Sequence, residues 1–137
     1  GQALLQGDTQ RATDVALQLA GVFPHRFYLE LQRAGRVDDE RHVVAAVQLA
    51  ARLHLPVVAT HPVQFLTADD YEAHEARVCI SDGEILGNNR RVRRFTREQY
   101  FKSAAEMSAL FLATDEAPFI NATCLMIDGG RSVMYHD

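Results

Sequence analysis

Apolar positions along the chain recur first at helical and then at alternating spacing. Between Asp8 and Phe23 they fall at Ala12, Val15, Ala16, Leu19 and Ala20, the rhythm of a helix with one buried stripe. Asp8 or Thr9 stands where a side-chain oxygen would cap its first amides. Pro24 ends that helix. From Arg26 to Gln32, Phe27, Leu29 and Leu31 alternate with Tyr28, Glu30 and Gln32, which predicts a strand. Gly35 interrupts the pattern, and Asp38 or Asp39 can cap a new helix. Val43, Val44, Val47, Leu49, Ala50 and Leu53 form the broad stripe of this second, longer helix, with His54 in its last turn. After Pro56 the short run Val57, Val58, Ala59 suits a strand buried on both faces. Strand, helix and strand in this order predict a βαβ unit with parallel strands and a right-handed crossover.

Three capping boxes come next. Thr67 with Asp70 opens a third helix through Tyr71, His74, Val78 and Cys79 to about Ser81, ended by Asp82 and Gly83. Thr96 with Gln99 and Ser103 with Glu106 predict short helices starting near Arg97 and Ala104, the latter running on through Met107, Leu110 and Phe111. From residue 112 the character changes. An acidic turn at Asp115 and Glu116 leads to a strand at Thr123 to Ile127 and to Asp128-Gly129-Gly130, strong turn chemistry. There is no internal repeat and no low-complexity segment.

Composition narrows the function classes. A length of 137 residues fits one domain with ordinary globular proportions of apolar and charged residues. No apolar run approaches the roughly 18 residues of a membrane span. The first residues lack the pattern of a signal peptide, so a cytoplasmic location is expected. Cys79 and Cys124 are far apart in apolar surroundings, without the paired spacing that holds zinc, and read as buried thiols. A formal charge of −4 argues against gripping nucleic acid with the whole surface.

Four segments carry a resemblance. FPHRFYLELQRAG from Phe23 to Gly35, LPVVATHPVQFL at 55–66, DDYEAHEARVCISDGEIL at 69–86 and FTREQYFKSAAEMSALF at 95–111 closely resemble the PHP domain of bacterial DNA polymerase III alpha subunits. The likeness covers residues 1–111 and implies the back half of a distorted β/α barrel. The family's trinuclear metal site would lie at the carboxyl ends of its strands. Where members that keep the site end their last strand with an aspartate and, two residues on, a histidine, this chain has Pro62 and Gln64. Proline cannot ligate a metal and glutamine is a poor substitute for imidazole. His61 stands one residue early, where the pleat would aim it at the opposite face. The resemblance therefore implies a degenerate, non-catalytic site in a domain that helps hold the proofreading exonuclease subunit and the polymerase III core. A second resemblance, FLATDEAPFINATCLMIDGG from Phe111 to Gly130, looks like the final strand and turn of a short-chain dehydrogenase. The Gly-rich turn and Tyr-x-x-x-Lys pair such an enzyme needs are not in the chain.

Individual residues carry weaker signals. His61, Asp70 and His74 are candidate metal ligands, Asp70 and His74 lying one helical turn apart; solvated or capping groups are the commoner role for such residues. His74-Glu75 is not a metalloprotease motif, because the second histidine would fall at Val78. Arg90, Arg91, Arg93, Arg94 and Arg97 concentrate charge that suits an acidic partner first and a phosphate backbone second, against the plainer reading of a solvated loop. Glu30 and Gln32 share a strand face, and Glu30 at a barrel mouth reads as a base, a ligand or a polar layer. No catalytic, cofactor-binding or metal-ligating residue is assigned. The fold expected is α/β, a partial barrel of two or three parallel strands with flanking helices, residues 1–111, and a foreign tail, 112–137. Its open sheet edges predict marginal stability or self-association. The function expected is a docking scaffold from a replicative polymerase. The alternatives are a nicotinamide-dependent dehydrogenase fragment and a residual metal-dependent phosphoesterase.

Overall fold

The structure is a computed structural model that describes residues 1–112 and 125–127. In chain order it has α1 (Gln2–Leu5), α2 (Thr9–Val22), β1 (Leu29–Gln32), α3 (Asp39–Leu53), β2 (Val57–Thr60), α4 (Tyr71–Asp82), α5 (Ala104–Leu112) and β3 (Leu125–Ile127), with a single 3-10 turn at Ala68–Asp70 before α4. α1 is too short to leave a periodic signal in the sequence. α2 begins where the cap predicts, the Asp8 carboxylate accepting from the Arg11 amide at 3.0 Å.

The βαβ unit forms. β1 and β2 pair in parallel with Leu29 opposite Val57 and Gln32 opposite Thr60, and α3 makes the crossing. β3 adds on the far side of β2, also parallel, so among the described strands β2 is central and β1 lies at one end. α3 packs its stripe of Val43, Ala46, Val47 and Ala50 on Leu31, Val57 and Ala59, and Met107 and Phe111 of α5 complete the cluster. Burial of these side chains, each contributing about 1.5–3 kcal/mol when large and fully enclosed, fixes where the carboxyl ends of β1 and β2 sit.

Several expectations need correction. The strand predicted from Arg26 begins only at Leu29, because Arg26 N–H closes a turn onto Phe23 O and His25 takes a left-handed φ of 60°. β2 is not buried on both faces: Val57 and Ala59 are enclosed while Val58 and Thr60 are half-exposed. His54 is not in the last helical turn but caps α3 in the left-handed region. No helix starts at Arg97, although the Thr96 amide does donate to the Gln99 side chain at 3.0 Å. The Thr96 hydroxyl is drawn away to Ala34 O, and Gln99 is wholly buried, so the box closes a tertiary turn instead of a helix. Of the strand expected at Thr123 to Ile127, Leu125–Ile127 is present; Thr123, Cys124, the acidic turn at Asp115 and Glu116, and Asp128 to Gly130 lie outside the described residues.

Candidate functional site

The carboxyl ends of β1 and β2 are where parallel α/β folds place chemistry, and here they meet the segment from Thr96 to Lys102. Gln99 is the hub. Its side-chain amide donates to Pro62 O at 3.0 Å, its carbonyl accepts from the Gln64 amide at 2.8 Å, and its side-chain oxygen accepts from Thr96. One further step along, Phe101 N–H reaches Phe65 O at 3.0 Å. Gly35 has φ 73°, and a Cβ there would come within 3.2 Å of Glu98, so the close approach of this segment to the end of β1 needs glycine. Lys102, nearly enclosed, pairs with Glu98 at 3.0 Å and sits 3.6 Å from the centre of the Tyr100 ring.

His61 lies against this segment. Its Nε2 is 2.7 Å from Glu98 O, and burial lowers its pKa below 6.5, with the Lys102 charge acting the same way and the carbonyl of Glu98 opposing. Glu30 and Gln32 form the expected polar layer: the Gln32 amide donates to Glu30 at 3.3 Å and to the Thr60 hydroxyl at 3.1 Å. Arg33 grips Glu40 through two 2.9 Å bonds, donates to Leu110 O at 2.8 Å and covers the Phe111 ring. That links β1 to both α3 and α5.

α4 carries the second cluster. His74 is packed between Phe65 and Phe95, with ring centres at 5.4 and 4.8 Å, and its Nδ1 faces the Arg77 guanidinium at 3.3 Å. Desolvation, then the Arg77 charge, lowers its pKa below 6.5, so it packs as a neutral ring. Beside it Glu75 is wholly buried and bonded to Arg91 at 2.5 Å, both side chains almost without solvent contact. Arg93 approaches the same carboxylate at 4.0 Å, Arg94 pairs with Asp82 at 2.5 Å, and Arg97 pairs with Glu72 while lying 4.6 Å over Tyr71. Of the arginine run only Arg91 is enclosed against α4; Arg90, Arg93, Arg94 and Arg97 stay exposed. The solvated-loop reading fits the four exposed arginines and fails at Arg91, whose side chain is taken up by Glu75. The sequence held the signal: Glu72, Glu75 and Asp82 recur at helical spacing opposite a run of arginines.

The three candidate metal ligands are not brought together. Asp70 is spent on the capping box, its carboxylate accepting from the Thr67 amide and hydroxyl at 2.9 Å each. Those bonds hold its pKa below the usual range. His61 is held at Glu98 O and His74 between its two aromatic neighbours, and among the described residues no group of three or more His, Cys, Asp or Glu converges as a metal site would. Cys79 is a buried free thiol in α4, as its setting predicts; Cys124 lies outside the described residues. No described helix is long and apolar enough to cross a membrane.

The fold and this region together define an α/β segment in which the carboxyl ends of β1 and β2 meet the chain's own 96–102 segment and the buried Glu75 and Arg91 are paired with each other. The chain is a segment related to DNA polymerase III alpha subunits. It is 49% identical over 117 residues to DNA polymerase III subunit alpha of Pseudomonas aeruginosa, 48% over 118 to that of Neisseria meningitidis serogroup A and 42% over 117 to that of Escherichia coli K12, each match covering 85% of this chain. The chain spans about a tenth of the length of these relatives. No protein-family model matches it.

Proposed function

We propose that the chain serves DNA replication as scaffold and docking surface within a polymerase III alpha subunit, the back half of a degenerate PHP-type domain in residues 1–111, and that alone it catalyses nothing. Residues 112–137 are a tail of short-chain-dehydrogenase type, which adds the strand Leu125–Ile127 to the sheet and supplies none of the docking residues. Nucleotidyl transfer belongs to the longer polymerase, in the cytoplasm.

The observation that carries the reading is the position of Gln99. The peptide groups of Pro62 and Gln64, at the two places where an active relative would offer its aspartate and histidine, are bonded to Gln99. The end of β2 is thereby held as a rigid joint between the sheet and residues 96–102, which favours a structural role over a reactive one. The partners are the proofreading exonuclease subunit and the rest of the polymerase core, with DNA contacted only indirectly. The surface offered is the outer side of the arginine loop, where Arg90, Arg93, Arg94 and Arg97 remain exposed.

The test is to immobilise the chain and titrate purified exonuclease subunit over it. Saturable one-to-one binding, weakened about tenfold by the double charge reversal Arg90→Glu and Arg93→Glu, is expected. Absence of binding at about 100 µM sinks the docking role, a concentration at which even a weak specific contact registers. Stoichiometric zinc or manganese with turnover of a phosphate ester, or nicotinamide binding, would replace it with an enzymatic one.

A further inference from the structure

Residues 84–95 cross from the end of α4 to the turn at Thr96 and are held at few points. Their own backbone bonds run within the segment, from the Asn88 amide to Ile85 O at 3.0 Å and from the Arg91 amide to Asn88 O at 3.2 Å. The Glu84 amide donates to Cys79 O at 2.9 Å beside Gly83, which caps α4 with a left-handed φ of 69°; that is one hinge. The Tyr71 hydroxyl meets Phe95 O at 3.4 Å at the other end. Every residue from 84 to 90 and from 92 to 94 is exposed, and only Arg91 and Phe95 turn inward. Arg91 reaches Glu75, and Phe95 stands edge-on to the His74 ring with centres 4.8 Å apart.

The bond between Arg91 and Glu75 leaves the buried Glu75 Oε1 and Arg91 Nε without a hydrogen-bond partner among the described residues. Two desolvated charges joined this sparely recover little of the hydration they lose, and swinging the segment outward returns both to water. Its apolar side chains add little to closure, because Ile85 and Val92 are exposed. The core cluster on the sheet contains no residue from 71 to 95. Opening therefore costs far less than unfolding. Cys79 lies one turn beyond Glu75 on the same face of α4, where it is buried, so the closed segment shields its thiol.

We propose that residues 84–95 are a strap, latched to α4 by Arg91 and Phe95, that opens as a unit while the sheet stays folded and thereby uncovers the Cys79 thiol. Every group of the latch and its hinges lies between Tyr71 and Gln99. The opening does not depend on the exonuclease-docking role and is read without any partner.

The test is the rate at which dithiodipyridine modifies Cys79 in the whole chain carrying Cys124→Ser, which leaves a single thiol. In urea below the unfolding transition, the rate should rise with a slope well under that of global unfolding, because local opening exposes less surface. Arg91→Met should speed modification at least about thirtyfold, since it leaves Glu75 charged and unpaired beneath the closed strap. Glu75→Leu combined with Arg91→Met should return the rate to that of the parent or below. Arg94→Ala, which loses an exposed pair with Asp82, should change it by less than about fivefold. A slope equal to that of global unfolding overturns the proposal, because the thiol is then reached only in the unfolded chain. So does an Arg91→Met rate no higher than that of the parent, the double variant or Arg94→Ala. If Arg91→Met does not fold, the slope measured on the parent still decides.

Discussion

Glu75 and Arg91 show how one residue's role depends on its enclosure. A carboxylate without solvent is tolerable only while its partner is in place, and removing one member of a buried pair leaves the other's charge uncompensated. Glu75→Ala should therefore cost about 3–5 kcal/mol in urea unfolding, whereas Glu75→Leu combined with Arg91→Met should recover most of that loss; equal losses in both variants would mean that the pairing itself is not what matters. The histidines make a second residue-scale prediction. Burial is the leading cause that lowers His42, His61 and His74 below 6.5. A group that holds its proton more weakly when folded contributes fully above its unfolded pKa and loses that contribution as the pH falls below it. The urea midpoint should be level above about pH 6.5 and fall on acidification toward pH 5. His74→Phe, which keeps a ring between Phe65 and Phe95, should make the fall shallower.

Three similar four-residue patterns gave different elements. Thr67 with Asp70 and Ser103 with Glu106 form reciprocal boxes, the Ser103 amide and hydroxyl each meeting the Glu106 carboxylate at 2.8 Å. Thr96 with Gln99 does not, because its hydroxyl has a tertiary partner at Ala34 and its glutamine is claimed by Pro62. The Ser103 and Tyr100 hydrogen bonds hold the Glu106 carboxyl down at about 2. Its contribution to α5 is therefore complete above its unfolded value of 4.5 and lost as pH falls through about 2. Ser103→Ala should destabilise the fold by about 1 kcal/mol, and far-UV circular dichroism should show the loss at α5. Thr96→Ala should act differently, loosening the joint at Ala34 and Gly35 without reducing helix content. An equal helix loss in both variants would contradict this distinction.

At the scale of the whole molecule, the three described strands and their core of modest size leave little reserve against the entropy of the chain. The melting midpoint should lie below about 60 °C; a cooperative melt well above that temperature would contradict this expectation. The helices α2, α3 and α4, the parallel pair β1 and β2, and two of the three capping boxes were determined by the sequence alone, because each depends on side chains within a few residues of one another or on a period the chain repeats. The polymerase relationship was legible for the same reason, in long ordered stretches. Only tertiary structure decided that Gln99 joins a loop to the end of β2, that Arg91 is spent on Glu75, and that His61, Asp70 and His74 do not converge. Each of these joins groups distant along the chain or settles which of several nearby partners a side chain takes. Such choices follow from burial and from competition for hydrogen bonds, quantities that no local pattern of residues contains.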